Sequence, residues 1–113
     1  MAKQLHRRIA QICRKAAPEE ACGFVVEGKA IKLDNKAEDP SCSFLISAQD
    51  YLSYLPNTIF HSHPVGDYSF SEHDMLVAVN MELTSYLYVV EADRLEVLRT
   101  TGEIEVFDKV LGK

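Results

Sequence analysis

An α+β fold with one central sheet, mixed or antiparallel and flanked by helices, is predicted by three features of the sequence. Apolar residues recur at helical spacing near the start of the chain and again after Ser71. β-prone runs of four to six residues fill most of the remainder, and they are joined more as antiparallel hairpins than as βαβ units. At 113 residues the chain is expected to hold one domain, residues 1–113, around a single core.

Leu5, Ile9, Ile12, Cys13 and Ala16 form the apolar side of a first helix over residues 3–16, with Arg7, Arg8, Arg14 and Lys15 as its solvated face. Pro18 blocks its continuation. Cys22 to Val26 reads as a strand that turns at Glu27-Gly28-Lys29 into a second, Ala30 to Leu33. The polar segment from Asp34 to Ser41 is a loop, and a third strand is expected from Cys42 to Ile46. Ser47, with Asp50 at capping-box distance, starts a short helix that Pro56 ends. Asn57 to Phe60 is a brief strand that delivers His61 and His63 at its end. After a loop over residues 65–70, Ser71 and Asp74 again have capping-box spacing and open a third helix, whose apolar face is expected at Met75, Leu76, Val79 and Leu83. Strands at Ser85–Val90, Leu95–Thr100 and Ile104–Phe107 complete the count, giving three helices among six or seven strands.

Composition narrows the function classes. With 47% hydrophobic and 26% charged residues this is an ordinary soluble globular chain, and a net charge of -5 leaves no basic footprint for nucleic acid. Three cysteines are an odd number in a domain large enough to fold without staples, so a reducing compartment is expected, the cytoplasm, or a virion tail if the gene is a phage's. The basic N-terminus is followed by no apolar signal core, and no apolar run is long enough to span a bilayer.

The chemistry concentrates at His61-Ser62-His63-Pro64 and Ser71-Glu72-His73-Asp74. Two histidines one residue apart on an extended segment project to the same side, so both rings can reach one ion. Asp74, eleven positions after His63, can be returned by the loop as a third ligand. Two imidazoles and a carboxylate suit zinc with its fourth position left to water, the catalytic arrangement. Cys22 is more cheaply explained as a small core residue than as a nucleophile, His6 as a solvated surface group, and His73 as a neighbour of the ligands without an assigned role. Tyr68 is a candidate to line a substrate groove.

Together with Pro18-Glu19-Glu20-Ala21-Cys22-Gly23, these motifs resemble the JAMM signature of the JAB/MPN metalloprotease family: a glutamate upstream, then H-S/T-H, seven residues, and S-x-x-D. The wording is most similar to the small prokaryotic and phage branch. The resemblance implies a JAB/MPN-like, cytidine-deaminase-like domain with His61, His63 and Asp74 as Zn2+ ligands. It implies Glu20, in preference to Glu19, as general acid/base, and Ser71 as a donor to the oxyanion. The implied activity is zinc-dependent hydrolysis of an amide or isopeptide bond in a ubiquitin-like or sulfur-carrier protein or a peptide. A phage tail-assembly component carrying such a domain and a non-catalytic interaction module are the alternatives.

Overall fold

The computed structural model describes residues 2–66 and 68–112. Met1, Asp67 and Lys113, which the expected domain and the expected loop 65–70 include, lie outside the described residues. Helix α1 spans Ala2–Ala16 and buries Ile9, Ala10, Ile12 and Cys13, the side that its periodicity predicts. Its polar side does more than face solvent. Arg14 Nε donates to Tyr88 Oη at 3.0 Å, and Arg7 donates to the carbonyls of Val110 and Leu111. His6 is half-buried, its ring 4.6 Å from that of Phe107, so the expectation of a solvated histidine is corrected: the chain's last segment folds back over it.

Strands β1 (Cys22–Val26) and β2 (Lys29–Leu33) form the expected hairpin. Its two-residue turn has both central residues left-handed, Glu27 at φ 51° and Gly28 at φ 77°, which matches the twist of the flanking strands. Gly23 in β1 is required for a different reason. A Cβ there would stand 2.0 Å from the carbonyl oxygen of Ile31 and 2.6 Å from the Phe60 ring. A ring can shift but a backbone carbonyl in a paired strand cannot. Gly23→Ala is therefore expected to lower the unfolding free energy by about 3 kcal/mol, the upper end for overpacking, in a urea titration.

The strand expected at Cys42–Ile46 does not form, and residues 34–47 are irregular. Both edges of β1 are paired, with β2 and with β3 (Thr58–His63), and among the described residues the outer edge of β2 takes no further strand. The segment is satisfied by local bonds instead, among them Lys36 N–H to the Leu45 carbonyl at 2.8 Å. Helix α2 (Ala48–Tyr54) is capped by Ser47, whose hydroxyl accepts from Asp50 N–H, and it closes on a left-handed Leu55 just ahead of Pro56.

β3 runs longer than expected and carries both histidines within the ladder. Helix α3 (Glu72–Met81) then leads to β4 (Thr84–Val89), a short 3-10 turn at Val90–Ala92, β5 (Arg94–Leu98) and β6 (Ile104–Asp108). The sheet order is β2-β1-β3-β4-β5-β6, and only β3 and β4 are parallel, with α3 as their crossover. The fold class is α+β with a mixed sheet, as predicted.

Alternation along β3 sorts the two faces. Phe60 packs with α1, Ala21, Tyr88 and Leu95, whereas Ile59 packs on the opposite face with Cys22, Phe24, Ile46 and Leu83. His61 and His63 share the face of Ile59, which α2 and α3 cover. Here the expected apolar face of α3 is corrected. Leu76 and Val79 are 54% and 67% exposed and Met75 is also exposed, while Asp74 and Ala78 point inward. Leu83 is buried, but beyond the helix end. Among the described residues no helix is long and apolar enough to cross a membrane.

Candidate metal centre

The site lies at the carboxyl end of the parallel pair, where the N-terminus of the crossover helix meets the last residues of β3, a usual position for ligand sites beside parallel strands. His61 and His63 stand two positions apart on one face, and their ring centroids are 5.2 Å apart. Asp74 arrives from the first turn of α3. Its placement is set by a complete capping box: Ser71 Oγ accepts from Asp74 N–H at 3.0 Å, and Asp74 Oδ2 accepts from Ser71 N–H at 3.0 Å.

The same Oδ2 lies 3.1 Å from His61 Nε2 and 3.1 Å from His63 Nε2. Two ligand atoms of one tetrahedral zinc stand about 3.3 Å apart, given bonds of ~2.0 Å, so these separations suit a shared ion. One ligand atom from each of the three residues lies within 4.8 Å of the others, and all three side chains are buried. His61 makes the sharper case. It is 1% exposed, and neither Nδ1 nor Nε2 has a well-directed hydrogen-bond partner, although Nε2 is close to Asp74. Buried polar atoms left in this state call for an explanation, and a bound ion is one. The cluster can hold a metal.

Protonation agrees with that chemistry. Burial lowers the His61 pKa, outweighing the raising effect of Asp74, so the ring stays neutral with the lone pair of one ring nitrogen available. Burial by itself would raise Asp74, but the close approach of His61 and His63 and the Ser71 N–H together hold its carboxyl well below the usual carboxylate range. A neutral His61 and an anionic Asp74 thus face each other, the protonation states that metal ligands need.

A cleft of about 430 Å³ opens beside the cluster, lined by Glu20, His63, Ser71 and Asp74 together with the irregular stretch from Ser41 to Phe44. Glu20 is buried and lines the cleft, whereas Glu19 is exposed. Ser71 uses an oxygen lone pair to cap α3, which leaves its O–H free to donate. His73 lines the cleft from the outer side of α3. Tyr68 is not among the lining residues; it is exposed, and its carbonyl accepts from Arg94. Cys22 is buried opposite His61 in the β1–β3 register, and burial pushes its thiol up to about 12, consistent with a packing residue and not a nucleophile.

Three supporting groups were not singled out from the sequence. Phe44 stacks on His61 with ring centroids 4.6 Å apart at 22°, closing the imidazole off from solvent. Glu96, buried on β5, accepts from Ser69 Oγ at 2.9 Å and so anchors the loop between the histidines and Ser71. Neither has a sequence signal, since both contacts are long-range. Ser62 did have one. Between two residues that face the cluster it must face the other way, and there its hydroxyl accepts from Ala21 N–H at 2.8 Å, one residue from Glu20.

Residues 2–101 match the model for prokaryotic homologues of the JAB domain. The fold is similar to the solution structure of protein DSY2949 from Desulfitobacterium hafniense, with a TM-score of 0.65 and 17% sequence identity over 93% of this chain and 86% of that one. No curated protein matches the sequence.

Proposed function

The chain belongs to the prokaryotic homologues of the JAB domain, and from that premise we propose that it is a zinc-dependent peptidase or isopeptidase. The observation that carries this reading is the buried His61, His63 and Asp74 cluster opening onto a cleft that Glu20 and Ser71 also line. Zinc held by those three residues would supply the Lewis acidity that makes a water nucleophilic at neutral pH.

Glu20, outside the ligand set, takes a proton from the attacking water and returns it to the leaving amine, so one carboxylate serves both half-steps. Ser71 donates its hydroxyl to the oxygen that gains charge as the amide carbon becomes tetrahedral; single donors of this kind are worth roughly 3 kcal/mol in other enzymes. Phe44 and the buried ladder keep bulk water from the imidazoles. The substrates that fit are a ubiquitin-like or sulfur-carrier protein joined through an amide or isopeptide bond, or a peptide. A complete donor set and the Glu20 carboxylate lining one cleft support catalysis over a non-catalytic module.

The test is a cleavage panel of ubiquitin-like fusions, sulfur-carrier adducts and peptidoglycan peptides, run with zinc, with a chelator, and with zinc restored. Hydrolysis of one member that chelation stops and zinc restores is expected. Activity that survives chelation overturns the mechanism, and protein that takes up no zinc on titration overturns the site.

A further inference from the structure

Asn35, two residues past the end of β2, directs its whole side-chain amide at backbone. Nδ2 donates to the carbonyl of Glu20 at 2.9 Å and to that of Ser43 at 3.0 Å, with a longer 3.5 Å approach to Pro40; Oδ1 accepts from the N–H of Ala37 at 3.0 Å and of Leu45 at 3.1 Å. An amide offers two N–H donors and two acceptor lone pairs, so its capacity is filled. The Glu20 N–H donates in turn to the Pro40 carbonyl at 2.7 Å.

Glu20 precedes β1 and has no place in the sheet ladder, so these bonds do for it what the ladder does for the histidines. On its other flank Ala21 is tied to β3, through Ser62 Oγ at 2.8 Å and the Ser62 N–H to Ala21 carbonyl bond at 3.1 Å. The loop that Asn35 gathers lines the cleft from Ser41 to Phe44. One amide thus joins the backbone of Glu20 to that loop.

We propose that Asn35 is a positioning residue, which sets Glu20 in the cleft beside the His61, His63 and Asp74 cluster and couples it to the loop that lines the cleft from Ser41 to Phe44. Its catalytic consequence rests on the peptidase reading; its structural consequence does not. Asn35→Asp is the informative variant, because it keeps the shape and the acceptor for Ala37 and Leu45 but turns the donor end into an oxygen facing the carbonyls of Glu20 and Ser43.

In Asn35→Asp, amide hydrogen exchange at Glu20 should quicken by roughly tenfold. Zinc affinity by calorimetric titration should stay within about twofold, because the ligands sit on β3 and α3 and none touches Asn35. With a ubiquitin-like protein fused to a C-terminal peptide as probe, kcat should fall roughly 10- to 100-fold with KM little changed, the cost of misplacing a reacting group by a fraction of an ångström. In a Glu20→Gln background the same substitution should cost no more than about twofold, since the residue it acts through is gone.

Unchanged exchange at Glu20 overturns the proposal, as does a full additional loss in the Glu20→Gln background or a parallel loss of zinc. If Asn35→Asp does not fold, Asn35→Ala, which brings no new charge, is read by the same measurements. Failure of the unaltered chain with zinc to cleave the fusion counts against the peptidase reading, and the exchange measurement then still decides whether Asn35 holds Glu20.

Discussion

Asp74→Ala should lose both the metal and the hydrolytic activity. Three protein ligands are the usual complement of a catalytic zinc, and removing one leaves two imidazoles on a strand with nothing to close the site. Loss of outer partners of a ligand already costs roughly 10- to 100-fold in affinity, so loss of the ligand itself should exceed about 100-fold in a zinc titration. Asp74 also completes the capping box of α3, so part of any change in thermal stability belongs to the cap. Asp74→Asn separates the two roles: the amide oxygen can still accept from Ser71 N–H, but the anion that balances the ion's charge is gone. His61→Ala should lose metal equally, with an added cavity beneath Phe44. Unchanged zinc affinity in either alanine variant would mean that the ligands are other residues.

Glu20→Gln should give the opposite split. The amide keeps the shape of the side chain and removes its basicity, so zinc stays bound while turnover falls. General acid and base groups contribute roughly 100- to 10,000-fold, and the loss should lie in or above that range. Substrate binding should persist, because the change acts on the transition state more than on the ground state. The variant is therefore a trap from which the natural substrate can be recovered. Glu19→Gln, at an exposed position, should behave as the unaltered protein. Zinc loss in Glu20→Gln would make Glu20 a ligand or the support of one, and full activity there with loss in Glu19→Gln would move the assignment by one residue.

How far the site could be read from sequence follows from the range of each interaction. His61 and His63 were legible because a spacing of two on a strand fixes a common face. Asp74 was legible because Ser71 and Asp74 form a local capping box that orients the carboxylate without help from elsewhere. Glu20 came from its place in the motif before Cys22-Gly23 and not from local physics, since nothing in Pro18-Glu19-Glu20 says which carboxylate turns inward. The strand expected at Cys42–Ile46 failed because β-propensity reports a willing strand and not the partners its backbone finds, and here Asn35 and Lys36 take up backbone groups of Ser43 and Leu45.

Helix α3 shows the same limit. Its apolar residues at Met75, Leu76 and Val79 suggested a buried stripe, yet the helix is phased by Asp74, which must face the cluster. On a helix of 3.6 residues per turn that turns Ala78 inward with it and rotates the apolar residues toward solvent. By itself, then, the sequence determined the fold class, the hairpin turn at Glu27-Gly28 and the three side chains that gather in the buried cluster, because each depends on periodicity or contacts a few residues apart. Only the tertiary structure decided that Glu20 and not Glu19 lines the cleft, that Phe44 covers His61, and that Asn35 ties the backbone of Glu20 to the loop at Ser43. Those contacts join segments distant in sequence, and their geometry exists only once the sheet has brought the segments side by side.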